Sequence, residues 1–289
     1  MLDFQTTGNV VVPRDAATLL LVRDAAEGGV EIFCVERSKK SGFMGGAIVF
    51  PGGKLDDADR APGWIDATSP PRTPHTPIAS DPDTLRALAI AACRETLEEA
   101  ALFPLEGKAL DHDALLALRA ELATTERSLL DLVRARGLRL DLAALHPFAR
   151  WITPTAESRR FDARFFLAAV GADARGLHDA NETTSSFWAR PAGVLQRFEA
   201  GEVQLAPPTH RTLEILATEA NAAAAIASTT QACLDPICPR LVRHIDAAGE
   251  TMALVLPGDP EHEVRTSRAP GRSRFVLRGT RWLPEDAPA

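Results

Sequence analysis

Three short segments rich in β-branched and apolar residues open the chain: ATLLLVR at 17–23, EIFCVER at 31–37 and AIVFPGG at 47–53. Gly-containing turns separate them, and each predicts a strand. Further along, the period lengthens. Leu85, Ala89, Ala92, Thr96, Ala100 and Phe103 fall on one helical stripe, which predicts a helix to about Leu102. Asp81 or Asp83 serves as its cap, with Pro82 at an early position. Residues 109–137 predict two more helices, the first on Leu115, Leu118 and Leu122, the second on Leu129, Leu132 and Val133. RFFLAAV (164–170) and SFWAR (186–190) predict strands. A short helix over about 191–199 comes next, then a longer one from Thr209 into the Ala-rich ANAAAAIAS. The end of the chain, with TMALVLPGD and SRFVLRGTRWL, predicts strand and turn. Strands mixed with helices, some pairs lacking a crossover helix, predict an α+β or mixed α/β fold.

The 289 residues can bury a real core, and 45% hydrophobic with 25% charged residues describes an ordinary soluble chain. No apolar run approaches membrane-spanning length. MLDFQTTGNVVVPRD lacks the basic start and apolar run of a signal peptide, so a cytoplasmic protein is expected. Cys34, Cys93, Cys233 and Cys238 are too scattered for a disulfide framework or a zinc site. A net charge of −7 argues against nucleic acid as a partner. APGWIDATSPPRTPHTPIASDP, with six prolines between 61 and 82, predicts an irregular insertion.

One stretch resists the ordinary reading. CRETLEEAAL (93–102) places Glu95, Glu98 and Glu99 on a stripe adjoining the apolar face of the predicted helix, near its end. Exposed like-charge pairs at this spacing cost roughly 0.2–0.5 kcal/mol each, and the helix dipole adds a similar penalty. Partial burial raises the cost sharply unless a cation is present. A solvated acidic face is the plain alternative. Against it stand the spacing, the helix-end position and the apolar border, which point to a hard divalent cation, Mg2+ or Mn2+. Upstream, FPGG (50–53) ends a strand, and two successive glycines let backbone approach a ligand closely.

Together these segments resemble the Nudix box, G-x5-E-x7-R-E-U-x-E-E-x-G-U with U aliphatic. Gly53 fits the first glycine, and Arg94, Glu95, Glu98, Glu99 and Leu102 fall in register. Asp59 replaces the first glutamate, Thr96 the aliphatic residue and Ala101 the last glycine. Gly53 and Arg94 stand 41 positions apart where the uninterrupted motif has 14, so 27 residues are inserted. A loop tolerates this because closure entropy grows slowly with length. Such a split box resembles the Nudix branch that includes a coenzyme A diphosphatase, as do WITPTAESRRFDARFF, NETTSSFW and LAPPTHRTLEIL. The segment associated with coenzyme A cleavage, L-L-T-x-R-[SA]-x3-R-x3-G-x3-F-P-G-G, is matched at Arg37, Ser38, Gly46, Phe50, Pro51, Gly52 and Gly53. Gly42 stands where its second arginine belongs, and FCVE replaces its leading residues.

The resemblance implies a single Nudix-type α/β/α sandwich over 1–289, with a Pro-rich insertion at about 54–82, a helical insertion at about 104–147 and a C-terminal extension at about 228–289. It implies hydrolysis of a nucleoside diphosphate derivative, coenzyme A or an acyl-coenzyme A first, with ADP-ribose or a dinucleotide as alternative. A catalytically inactive nucleotide-binding or regulatory module is the alternative of another class. Glu95, Glu98, Glu99 and the Gly52 carbonyl are the expected Mg2+ or Mn2+ ligands. By helical geometry Arg94 is expected to point away from the acidic stripe and to orient the loop or helix through a carboxylate, with Asp59 the partner that the resemblance implies. The general base stays open among Glu98, Glu99 and Glu182. Arg37, Phe50, Gly53, Arg160 and Arg164 are the substrate-binding candidates; of Arg159, Arg160 and Arg164, at least one is expected to be a surface charge, because strand side chains alternate. The histidines, His210 included, read as surface or structural. No partner beyond the small-molecule substrate is implied, no membrane, and the oligomeric state, a homodimer included, stays open.

Overall fold

The computed structural model describes residues 10–38, 45–72, 78–107, 110–179 and 183–287. Its first half runs β1 (Arg14–Asp24), β2 (Val30–Arg37), β3 (Ala47–Val49), β4 (Gly52–Lys54), α1 (Trp64–Ala67), α2 (Pro82–Ala100), α3 (His112–Thr124) and α4 (Leu129–Ala135). Then come β5 (His146–Ile152), β6 (Phe161–Ala169), β7 (Thr183–Ala189), α5 (Pro191–Glu199), β8 (Gln204–Leu205), α6 (Pro207–Leu216) and α7 (Ala222–Ser228). Four strands close the chain: β9 (Arg240–Asp246), β10 (Gly249–Val255), β11 (Arg274–Arg278) and β12 (Arg281–Glu285).

β1 organises the main sheet. On one side it runs parallel to β6 from Arg14 opposite Phe161 to Val22 opposite Ala169. Its other side is shared: β4 pairs antiparallel with Ala16–Thr18, and β2 with Val22–Asp24. The strand expected over 47–53 is therefore two. β3 pairs with β2, the chain bends at Phe50–Pro51, and β4 changes partner to β1, while the Leu19 amide donates to the Pro51 carbonyl at 3.0 Å. Proline has no N–H to carry a ladder onward, so a change of partner there leaves no donor stranded.

The sheet is mixed and buried on both faces, giving the expected α+β sandwich. Leu19, Leu21, Phe33, Val35 and Phe166 pack toward α2 and the helical insertion. Leu20, Val22, Ile32, Cys34 and Leu167 pack the other way, with Phe198, Leu213, Phe275 and Trp282 from α5, α6 and the four-stranded C-terminal sheet. α2 begins where Asp81 accepts from the Thr84 amide at 2.8 Å and Pro82 takes an early position. It ends on Ala101 at φ 49°, the left-handed conformation.

The Pro-rich insertion has more order than its composition predicts. The short α1 lies against α4, with Trp64 buried in the core, and a 3-10 turn at Asp57–Arg60 lies against α2. The Ser69 amide donates to the Leu140 carbonyl and the Leu140 amide to the Ala67 carbonyl, each at 2.9 Å. Arg134 and Arg139 add donors to the Gly63 and Thr68 carbonyls at 2.8 and 2.7 Å. The two insertions thus form one packed body. Sequence pattern also missed β5, and it ran α6 and α7 together, where Asn221 caps a new helix by accepting from Ala224 at 2.8 Å. Among the described residues no helix is long and apolar enough to cross a membrane.

Candidate active site

The change of strand partner delivers Gly52 and Gly53 to the side of α2. The Gly52 amide donates to Glu99 Oε2 at 3.1 Å. A Cβ on Gly52 would lie 2.5 Å from the Ala17 carbonyl oxygen, and one on Gly53 would lie 2.4 Å from the Glu95 carboxyl carbon. Neither position has room for a side chain. The absence of side chains is what lets the bend lie directly on the carboxylates.

Arg94 binds this bend to the helix. It is 9% exposed and makes a two-pronged contact with Asp59, Nε to Oδ1 and Nη2 to Oδ2, both at 3.0 Å. Nη2 also donates to the Lys54 carbonyl at 3.0 Å. Nη1 reaches Glu95 Oε1 at 2.9 Å and Glu98 Oε2 at 3.2 Å. The expectation that Arg94 points away from the acidic stripe is therefore corrected. A long flexible side chain one position from Glu95 and four from Glu98 can curl over the stripe, and the uncompensated charge draws it there. Sequence reading passed over Asp56, 3.6 Å from Arg94 and 3.0 Å from Lys54. KLDDAD, directly after the glycine bend, was the available signal.

The electrostatics are lopsided. Asp56, Asp59, Glu95, Glu98 and Glu99 face Arg94 and Lys54, a formal excess of three negative charges. Burial raises the Glu98 carboxyl to about 7 against the pull of Arg94, and the Glu95 and Asp59 charges add to the rise. Burial also raises Glu95, opposed by the charge and hydrogen bond of Arg94. For Arg94 itself, burial works against the charge, but the Asp59 hydrogen bonds and the Glu95, Asp59 and Glu98 charges outweigh it and hold the pKa above its usual value. A hard, oxygen-liganded divalent ion suits this donor set and its missing charge. Glu95 and Glu98 would hold such an ion beside Nη1 of Arg94, while the Asp59 carboxylate keeps Nε and Nη2. By contrast, His244, Asp246 and Glu285 also gather on the C-terminal sheet, but the Arg278 guanidinium already bridges Asp246 and Glu285.

The other expected site residues sit elsewhere. Phe50 is 5% exposed and belongs to the core on the opposite face of the sheet, because the bend at Pro51 turns it inward. Arg160 is buried, giving Nε to the Thr153 carbonyl at 3.0 Å and Nη1 to the Val11 carbonyl at 2.6 Å. Arg164 is buried as well, between Asp15 at 2.5 Å, the Ile78 carbonyl at 3.0 Å and the Asp162 carbonyl at 2.7 Å. Both guanidinium groups serve internal partners: Arg164 lies on β6, which is flanked by β1 and β5, and Arg160, just before that strand, is held by the carbonyls of Thr153 and Val11. Arg159 is the exposed member of the three. Arg37 ends β2 at an irregularity in its pairing with β7. Glu182 lies outside the described residues. His210 is buried in the core, its ring 5.1 Å from that of Phe198 and 5.6 Å from that of Phe275.

The chain is similar to several known proteins. The family described as the NUDT19 Nudix domain matches residues 75–216. The acyl-coenzyme A diphosphatase NUDT19 of Gallus gallus is 30% identical over 250 residues, covering 68% of this chain and 65% of that protein. The Homo sapiens protein of the same name is 28% identical over 273 residues, covering 80% and 72%. The chain thus spans just under two thirds of the length of the chicken relative. The crystal structure of a NUDIX hydrolase from Alicyclobacillus acidocaldarius superposes with a TM-score of 0.66 at 30% identity, over 76% of this chain and 97% of that one.

Proposed function

The chain belongs to the Nudix hydrolase family, and on that premise we propose that it hydrolyses the diphosphate linkage of coenzyme A or an acyl-coenzyme A with Mg2+ or Mn2+. The products are 3′,5′-ADP and 4′-phosphopantetheine or its acyl form. The observation that carries this reading is the glycine bend seated on the carboxylate helix, with Gly52 on Glu99 and Gly53 against Glu95. The substrate class is supported by the likeness to the acyl-coenzyme A diphosphatases of chicken and human, and by the Arg37–Gly53 segment.

Glu95, Glu98, Glu99 and the Gly52 carbonyl are the proposed ligands. These residues would hold a divalent cation, which would supply charge neutralisation for diphosphate oxygens and a lowered pKa for bound water. Arg94, fixed by Asp59, sets the positions of Glu95 and Glu98. Glu98 is one candidate to take the proton that the attacking water gives up. Glu99 and Glu182 are the other candidates for that proton. Arg37 remains the candidate for substrate contact.

The deciding experiment is a panel of coenzyme A, acetyl-coenzyme A, ADP-ribose, NADH and nucleoside triphosphates with Mg2+ and with Mn2+. The expected result is preferential turnover of coenzyme A and its thioester, lost by about a hundredfold or more in Glu98→Gln, the scale set by removing a proton-transfer group. Equal turnover across the panel rejects the substrate class. Unchanged activity in Glu98→Gln rejects the metal-site reading.

A further inference from the structure

The C-terminal sheet ends on an open edge. Its order is β12–β11–β10–β9, and among the described residues β9 pairs with β10 alone. Asp246 and Gly249 close a two-residue turn, so hydrogen-bonded pairs alternate from there. Leu241, Arg243 and Ile245 therefore turn their N–H and C=O groups outward, and no backbone group of the described residues meets them. Such an edge is a template for another strand. β9 lacks the usual devices that blunt one: it has no proline and no lysine, and its ladder runs without a register shift. Ile245 stands 67% exposed near its end.

The sequence of this strand, RLVRHID, complements itself. Turned antiparallel about Arg243, it sets Arg240 opposite Asp246 of a second copy on one face and Leu241 opposite Ile245 on the other, and symmetry makes each pair twice. The charge at the Asp246 corner favours the first pair. There the Arg278 guanidinium is shared between Asp246 and Glu285, which leaves one negative charge in excess for the incoming Arg240. Arg240 is exposed and bonded only to the Glu261 carbonyl, at 3.2 Å. The second pair covers Ile245. Arg243 meets its own copy at the centre, but each Arg243 already holds Glu250 at 2.8 Å, so the charges there cancel. Sliding the strands by two residues either way loses both ion pairs and leaves strand ends unpaired.

We propose that the partner of this edge is a second copy of the chain, the two C-terminal sheets joining through β9 in the antiparallel register centred on Arg243. The outward residues form three hydrogen-bonded pairs, about six backbone bonds in all. A strip this narrow belongs with weak interfaces, so dissociation in the micromolar range is expected. The surface lies on the C-terminal extension, and it neither requires nor supports the diphosphatase reading.

The test is sedimentation velocity of the full chain from low micromolar to several hundred micromolar, where a monomer–dimer equilibrium is expected. Ile245→Lys and Arg240→Glu, both at exposed positions, are each expected to weaken the dimer by about tenfold or more, since each change enters the interface twice. Cross-linking reads the register. In a Cys233→Ser background, Arg243→Cys is expected to link two copies under mild oxidation, because a hydrogen-bonded antiparallel pair sets its Cα atoms about 5.5 Å apart, within disulfide reach. Ile245→Cys lies two residues from the axis, well beyond that reach from its own copy, and is expected to stay unlinked. A monomer at every concentration, a dimer unmoved by Ile245→Lys and Arg240→Glu, or linking at position 245 as fast as at 243 each overturns the proposal.

Discussion

Ala101 stands at φ 49° and is fully buried, at the position where the Nudix pattern has glycine. A left-handed residue with a Cβ costs about 1–2 kcal/mol. Glycine would recover that, but would return about 0.4–1 kcal/mol through the unfolded chain and about 0.8 kcal/mol of buried methyl. The terms nearly cancel, which accounts for alanine at a glycine position. Ala101→Gly is expected to stay within about 1 kcal/mol of the parent in urea unfolding. Ala101→Val, β-branched in the same conformation, is expected to cost more than about 2 kcal/mol. A glycine variant stabilised well beyond that range would mean that the helix end is strained by something else. The Asp59 carboxylate answers a different question. It stands in for the usual glutamate and still meets Arg94 with both oxygens, at 2% exposure. Asp59→Ala leaves a buried guanidinium with Glu95 and Glu98 as its remaining strong partners, and about 3–5 kcal/mol of destabilisation is expected. A loss under about 1 kcal/mol would show that the pair is no better than a surface contact.

Elements were legible where one period dominated, and illegible where a single residue broke it. α2 announced itself because its apolar stripe, its Asp81 cap and Pro82 all agree. β3 and β4 merged into one expected strand because only tertiary pairing reveals that Pro51 changes the partner. β5 was missed because His146, Pro147 and Arg150 disguise its alternation, and the ladder itself slips between Pro147 and Ala149. A proline is tolerated there because β5 is the edge of the sheet. Proline content likewise hid the order of the inserted segment, whose stability comes from α4 and from arginine donors far away in sequence. If the two insertions are one packed body, the amides of Ser69 and Leu140 should exchange with solvent about as slowly as those of the first turns of α2, with or without substrate. Exchange a hundredfold faster would identify the box insertion as a separately opening flap.

At the scale of the whole molecule, the acidic cluster should shape the dependence of stability on pH. The carboxylates that are held low, such as Asp81 and Asp246, each at about 2, contribute stability that is lost only as pH falls below the usual carboxylate range. Glu98 has the opposite sign. Its carboxyl rises from 4.5 in the unfolded chain to about 7 in the fold. Between those values the native state holds more protons than the unfolded state, so stability declines as pH rises through the window. Glu95 is shifted in the same direction. His146, lowered by burial and by Arg72, works against this trend near its own range. A divalent cation favours the charged carboxylates and should remove the Glu98 and Glu95 contribution while leaving that of His146. Melting temperatures in a chelator are therefore expected to fall from about pH 5 to about pH 7, by a modest amount because the Glu98 side chain is 38% exposed. Adding Mg2+ or Mn2+ should raise the curve most at its neutral end, and Glu98→Gln should flatten the chelator curve. Parallel curves with and without the cation would mean that these acids do not hold it, whatever their resemblance to a metal-binding motif.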